Sequence, residues 1–266
     1  MHHIRASLLA SHEVAPGHFL LQLAAPQVAD AARPGQWVHV RCGDTWDPLL
    51  RRPLSIADVA DDRESFFILC RAVGRGTEKL VRTRPGEPVD IIGPIGRGFD
   101  LDHAASIALV GGGYGVAPLH FLLRRLRRRR GAGVRADVFI GAETAERLLF
   151  LDRLRELADD VHVTTVDGSL GHKGLVTEPF ESAVSDRPPD IAFSCGPTAM
   201  MAAVAGICAT RGVACQVSLE QHMGCGVGVC LGCAVPILDD GGIVYKRACC
   251  DGPVFSADLV AWEQMQ

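Results

Sequence analysis

The stretch Leu109-Val110-Gly111-Gly112-Gly113-Tyr114-Gly115-Val116-Ala117-Pro118-Leu119 decides how the middle of this chain is read. The apolar run Ile107–Val110 predicts a buried strand. The glycines after it predict a tight turn opening onto a helix over Val116–Arg130. Glycines at such a turn let a pyrophosphate approach the main chain, where the free N–H groups of a helix start face the anion. Gly111, Gly112, Gly113 and Gly115 are therefore candidate contacts for a dinucleotide.

Downstream, strands are expected at Ala136–Gly141, His162–Thr165 and Ile191–Ser194. Helices are expected at Leu148–Leu157, Glu178–Val184 and Thr198–Thr210. Such alternation implies a parallel sheet with right-handed crossovers, its ligand at the carboxyl ends of the strands. Ser194-Cys195-Gly196-Pro197 follows the last of these strands and should lie at the same sheet edge. Cys195 there is either a nicotinamide contact or a small buried residue beside a turn. Past the second strand, Gly141-Ala142-Glu143-Thr144-Ala145-Glu146 is acidic where a 2′-phosphate would want Arg, which favours NAD over NADP, although Arg147 stands close by.

Upstream the texture differs. Phe19–Leu23, Gln36–Arg41, Ser65–Arg71 and Pro88–Ile92 read as short strands separated by turns such as Arg33-Pro34-Gly35 and Arg84-Pro85-Gly86-Glu87. This spacing suggests a small antiparallel barrel. Within it, Arg51-Arg52-Pro53-Leu54-Ser55-Ile56 offers a guanidinium for a pyrophosphate and a hydroxyl for a flavin ring nitrogen. Gly74-Arg75-Gly76-Thr77 offers a second tight turn, before a helix over Glu78–Arg82. Taken alone, both stretches also read as surface loops.

Beyond about Val213 the cysteines dominate. Of the ten in the chain, five fall between 225 and 250. Cys225-x4-Cys230-x2-Cys233, followed after fifteen residues by Cys249, opens with the spacing of plant-type [2Fe–2S] ligation. Gly224, Gly226, Gly228 and Gly232 let main-chain N–H groups approach the sulfurs. Zinc would more usually take CxxC pairs, and structural cysteines need no such spacing. Cys250 adjoins Cys249, and only one of the two is needed. Cys42, Cys70, Cys208 and Cys215 read as packing residues, although Cys70 also falls, with Leu69 and Arg71, in a stretch expected to meet the flavin.

The 266 residues suit several compact units, here 1–102 (FAD barrel), 103–212 (NAD-binding α/β) and 213–266 (cluster). At 48% hydrophobic and 22% charged the composition is that of a soluble globular protein, and a net charge of −4 makes no case for nucleic acid or an anionic membrane. No signal peptide and no apolar run of membrane-spanning length is visible, so a cytoplasmic location is expected. Arg124–Arg130, basic at all but Leu126, reads as a solvated helix end.

With these three signals in this order, the chain resembles the ferredoxin-NADP reductase-like superfamily, and within it the electron-transfer subunits of dihydroorotate dehydrogenase B. The markers are Arg51–Ile56, Val73–Thr77, Gly111–Leu119, Asp167-Gly168-Ser169 running into His172-Lys173-Gly174, Ser218-Leu219-Glu220, the cysteine cluster and Tyr245–Phe255. The resemblance covers essentially the whole chain. It implies that Arg52, with Gly76 and Thr77 nearby, holds a flavin pyrophosphate, that Pro53, Leu54 and Ser55 flank the isoalloxazine, and that Cys249 is the fourth cluster ligand. Leu54 stands where many relatives carry an aromatic.

The resemblance further implies a separate FMN subunit that oxidises dihydroorotate, most simply two of each subunit. Electrons would pass singly through [2Fe–2S] to FAD and leave as hydride to NAD⁺, with no side chain acting as general acid or base. The alternatives are a reductase subunit of a hydrogenase, sulfite reductase or transhydrogenase complex, and a redox-sensing scaffold.

Overall fold

The computed structural model describes residues 1–43, 45–101 and 104–265. β1 (His2–Ala15), β2 (His18–Ala24), β3 (Trp37–Val40), β4 (Arg52–Val59), β5 (Ser65–Arg71) and β6 (Pro88–Ile95) close an antiparallel barrel in the order β1-β2-β5-β4-β3-β6. Period-2 alternation fills its interior: Leu21 and Leu23 from β2, and Phe66, Ile68 and Cys70 from β5, are wholly buried. Two short helices, α1 (Pro26–Ala31) and α2 (Arg75–Val81), join the strands. α2 begins three residues before the expected Glu78, because the Thr77 hydroxyl accepts the N–H groups of Val73 (3.0 Å) and Gly74 (3.3 Å) and caps the first turn.

The second unit is a seven-stranded sheet. β7 (Ser106–Gly112) leads through a 3₁₀ turn at Gly113–Gly115 into α3 (Val116–Arg130). β8 (Arg135–Ala142), α4 (Leu151–Leu157), β9 (Asp160–Thr165), β10 (His172–Lys173), α5 (Thr177–Asp186), β11 (Ile191–Cys195) and α6 (Thr198–Arg211) follow. β7 is buried over almost its whole length, as a parallel strand covered on both faces must be. α4 starts later than the expected Leu148, because Phe150 takes a left-handed conformation (φ +57°).

β12 (Ala214–Ser218) and β15 (Val254–Ser256) complete the sheet in the order β10-β9-β8-β7-β11-β12-β15, only β15 being antiparallel. β13 (Ala234–Asp239) and β14 (Gly242–Arg247) form a separate hairpin. The last fifty residues thus supply two strands to the nucleotide sheet as well as the cysteine module. The expected boundary at 102/103 lies outside the described residues.

Barrel and sheet share a core in which Leu20, Ala57 and Leu69 pack with Val116 and Ala117 of α3. The arginine run is largely engaged rather than solvated. Arg124 pairs with Asp58 and Asp61 on the barrel, Arg127 reaches Asp159 at 2.6 Å, and Arg130 donates to the Ala104 carbonyl at 2.9 Å. Among the described residues, no helix is long and apolar enough to cross a membrane.

Candidate redox cofactor sites

β7 and β11 are neighbours, and their crossovers run to opposite sides, to β8 and to β12. The crevice at their carboxyl ends is the topological switch point of the sheet. A cavity of about 860 Å³ opens there, lined by Gly112, Gly113, Gly196, Pro197, Glu143 and Arg147 among others. The glycines serve two ends. A Cβ on Gly113 would meet nothing within 4 Å, so this residue opens its main chain to the cavity. A Cβ on Gly115 would overlap the Cys195 carbonyl, and one on Gly112 would lie 2.7 Å from Met200 Sδ, so these residues let the two crevice turns pack together.

Gly111 and Gly115 lie behind the cavity wall, as does Cys195, which is 1% exposed and whose thiol pKa is raised by burial. Of the two readings of Cys195, the geometry favours the buried packing residue. Arg147 makes a 2.5 Å ion pair with Glu143, so its charge is already engaged at the cavity wall.

A second cavity of about 270 Å³ lies between barrel and sheet. Arg52, Pro53, Leu54, Ser55, Leu69, Arg71 and Thr77 line it, as the sequence suggested for a flavin. Gly76 stays behind Arg52, whose Nε would lie 3.2 Å from a Cβ there, so glycine is what lets the guanidinium settle against α2. Cys70 does not face the cavity: strand alternation turns it into the barrel, where burial pushes its thiol up to about 12. Trp37, Gln221 and Met223 also line this cavity without a signal in the sequence, whereas Tyr114, Ala117 and Ser218–Glu220 come from the marker stretches.

The two cavities meet. Arg71, Tyr114, Glu220 and Gln221 line both. Tyr114 donates its hydroxyl to Glu220 at 2.9 Å. Burial raises the carboxyl pKa of Glu220, the Tyr114 hydrogen bond working against it, and burial next to that carboxylate raises the phenol of Tyr114.

The four cysteines expected as ligands come together in pairs. Cys225 N donates to Cys230 Sγ, Cys230 N returns a bond to Cys225 Sγ, and Cys249 N donates to Cys233 Sγ, each at 3.4 Å. Val227 and Val229 add N–H groups to Cys225 Sγ at 3.4 and 3.3 Å, and Gly232 adds one to Cys230 Sγ at 3.4 Å. These donors hold the Cys225 thiol down at about 6. Cysteine sulfurs gathered two and two, with main-chain N–H groups aimed at them, fit a binuclear cluster. Among the described residues no group of His, Cys, Asp and Glu converges as for a single metal ion. Cys250 Sγ lies 3.6 Å from Cys249 Sγ.

Arg247 ties the module together. It donates through Nη1 to the Gly228 carbonyl at 2.9 Å and through Nε and Nη2 to Asp251 at 2.9 and 3.1 Å. On the barrel side His39 packs on Gly226. Burial, followed by the charge of Arg51, lowers its pKa to about 4, so the ring is neutral.

Two family models match this chain. The iron–sulfur cluster binding domain of dihydroorotate dehydrogenase B covers residues 220–261, and the oxidoreductase NAD-binding domain covers residues 109–206. A dihydroorotate dehydrogenase B (NAD⁺) electron transfer subunit from Desulforamulus reducens is 43% identical over 97% of this chain and 98% of its own. The chain belongs to this family of electron transfer subunits. The family member from Lysinibacillus sphaericus is 38% identical over 96% of both chains.

Among solved structures, a chain of an NADH-dependent reduced ferredoxin-NADP oxidoreductase superposes with a TM-score of 0.85 at 31% identity, covering 98% of this chain and 91% of that one. The Amycolatopsis cytochrome P450 reductase GcoB shares the fold of this chain, with a TM-score of 0.66 at 24% identity over 79% of this chain and 66% of its own.

Proposed function

We propose that this chain carries electrons between a dihydroorotate-oxidising partner and NAD⁺, through a [2Fe–2S] cluster held by Cys225, Cys230, Cys233 and Cys249 and an FAD held in the cavity around Arg52 and Ser55. The observation that carries this reading is the continuity of the sites. Arg71, Tyr114, Glu220 and Gln221 border both the flavin cavity and the nucleotide cleft, and Trp37 borders the flavin cavity while touching the cluster loop.

FAD, when bound, exchanges a hydride with a nicotinamide and single electrons with an iron–sulfur centre. The protein supplies position and electrostatics. Arg52 and Arg71 offer positive charge to a pyrophosphate, and Ser55 offers a hydroxyl to the ring system. The turn at Gly112–Gly113 with Gly196–Pro197 seats the dinucleotide at the sheet edge. Tyr114 and Glu220 close the junction where the two ring systems would meet.

The partner is an FMN-containing subunit, most simply in a two-plus-two assembly. Support for its approach comes from the cluster loop, where Val229 and Leu231 are 79% and 64% exposed on either side of Cys230. NAD over NADP is supported by Glu143, which already occupies Arg147.

The test is to mix the loaded chain anaerobically with the FMN-type dihydroorotate dehydrogenase from the same source, add dihydroorotate and NAD⁺, and follow absorbance at the NADH band. NADH that requires both proteins is expected. No NADH, with intact cofactor spectra and an active partner, would overturn the choice of partner. It would favour a reductase complex of the kind represented by the 31%-identical ferredoxin-NADP oxidoreductase chain.

A further inference from the structure

Cys250 brings a fifth sulfur to a set of four. Side chains of adjacent residues point apart in an extended strand. After β14 the chain curls instead: the Arg247 carbonyl accepts the N–H groups of Cys250 (3.1 Å), Asp251 (2.8 Å) and Gly252 (3.3 Å). The turn brings the two neighbouring thiols together, Cys250 Sγ lying 3.6 Å from Cys249 Sγ. Cys250 also meets the other half of the cysteine module. A Cβ on Gly228 would stand 2.8 Å from Cys250 Sγ. Gly228 belongs to the loop between Cys225 and Cys230 and is held at φ +83°. The Cys250 sulfur is thus in contact both with Cys249 and with the loop that carries the first two ligands.

Arg247 locks this arrangement. Its Nη1 donates to the Gly228 carbonyl at 2.9 Å, while Nε and Nη2 hold Asp251 at 2.9 and 3.1 Å. One guanidinium therefore fixes the Cys225–Cys230 loop against the turn that carries Cys249 and Cys250. The remaining cysteines outside the ligand set are placed differently. Cys42, Cys70, Cys195, Cys208 and Cys215 are buried in the apolar cores of barrel and sheet. Cys250 is half-buried, and its sulfur touches a ligand sulfur. A thiol there offers iron the same soft donor that Cys249 offers.

We propose that Cys250 is a reserve ligand of the cluster, placed to take over the iron that Cys249 holds. This rests on the reading of Cys225, Cys230, Cys233 and Cys249 as the standing ligands. The exchange breaks one bond between iron and Cys249 sulfur and forms one between the same iron and Cys250 sulfur. Cys250 gives up its thiol proton and Cys249 takes one up, so charge balances and no electron is gained or lost. Because the two sulfurs are neighbours on one turn, the swap needs a local rearrangement of that turn and leaves the Cys225–Cys230 loop in place. A chain deprived of Cys249 therefore keeps a binuclear centre.

The experiment is anaerobic reconstitution of the full chain with iron, sulfide and FAD, applied to wild type, Cys249→Ala, Cys250→Ala and the double variant. Iron, acid-labile sulfide and the EPR spectrum of the reduced protein are read on each, with FAD content reporting the fold. A wild-type chain that takes up no iron would defeat the functional reading itself. With iron present, Cys249→Ala is expected to keep most of the wild-type iron with an altered EPR spectrum, and the double variant to hold about tenfold less. A Cys249→Ala protein that binds FAD yet holds as little iron as the double variant would overturn the proposal. Loss of iron in Cys250→Ala but not in Cys249→Ala would overturn it too, by making Cys250 the standing ligand. Should Cys249→Ala bind no FAD, Cys249→Ser keeps the side-chain size. Its EPR spectrum is expected to change when Cys250→Ala is added, as sulfur gives way to serine oxygen on the iron. Identical spectra with and without Cys250 would overturn the proposal.

Discussion

Tyr114 and Glu220 are joined by a 2.9 Å hydrogen bond between residues 106 positions apart, at the point where the nucleotide cleft and the flavin cavity share a wall. The phenol comes from the glycine turn after β7 and the carboxylate from the segment after β12. Closure of this junction therefore depends on the sheet bringing both strand ends to one edge. The side chain of Glu220 is exposed to the two cavities, yet its carboxyl is recessed enough for desolvation to raise its pKa.

A raised carboxyl pKa has a definite sign. The protonated form is favoured by the fold, so this contribution to stability is fully present below the ordinary Glu value and is lost as pH rises through the raised one. Glu220→Gln, which stays neutral and can still accept from Tyr114, is expected to melt higher than wild type at pH 7, with the difference vanishing below about pH 4. Calorimetry of the loaded protein at both pH values checks this. Equal melting points at pH 7 would mean that Glu220 carries its charge there without penalty.

Glu143 and Arg147 form the pair on which the proposed preference for NAD rests. Their 2.5 Å pair lies on the wall of the cleft. Glu143→Ala is expected to free the guanidinium for a 2′-phosphate and to raise kcat/KM for NADPH relative to NADH on the order of tenfold. Diaphorase kinetics with both nucleotides give the ratio, and an unchanged ratio would place the ribose elsewhere.

Arg124 binds the barrel to the sheet. Asp58 is 6% exposed and pairs with Arg124, while its other oxygen accepts the N–H of Val59 at 2.8 Å. Arg124→Ala leaves a buried carboxylate without its partner and is expected to cost about 3 kcal/mol in chemical denaturation. Asp58→Asn combined with Arg124→Ala should cost less than the sum of the single changes.

Gly226 has the least freedom in the cluster loop. Its φ is +68°, and a Cβ there would overlap the His39 ring. Gly226→Ala is expected to abolish the visible absorbance of the cluster while FAD still binds, because Arg52 and Ser55 lie on the barrel side of the cavity. Iron and flavin analysis of the purified variant separates the two. Loss of both would make cluster and flavin a single folding unit.

The sequence was most legible where a local pattern carries the constraint. A glycine turn between an apolar run and a helix fixed the reading of β7 and α3 to within two residues, because both patterns are periodic and contiguous. The cysteine spacing likewise announces a loop wrapped on a cluster. Contacts made by distant strands left no such trace. Nothing near Trp37 or His39 says that they face Gly226, and Cys70 looked like a flavin neighbour until strand parity turned it inward. β15 is only three residues long, too short for any periodic signal, yet it places the end of the chain in the nucleotide sheet.

That last strand changes what the cysteine module is. β12 and β15 are antiparallel neighbours, with Ser218 opposite Val254, so the segment between them leaves the sheet and returns to the adjoining position. In topological terms the whole iron–sulfur module is an enlarged hairpin loop. It is anchored at both ends and cannot swing away from the nucleotide unit as a tethered domain would. The same geometry puts Leu219–Gln221 and Met223, at the start of that loop, on the wall of the flavin cavity, so the segment that carries the cluster also closes the flavin site.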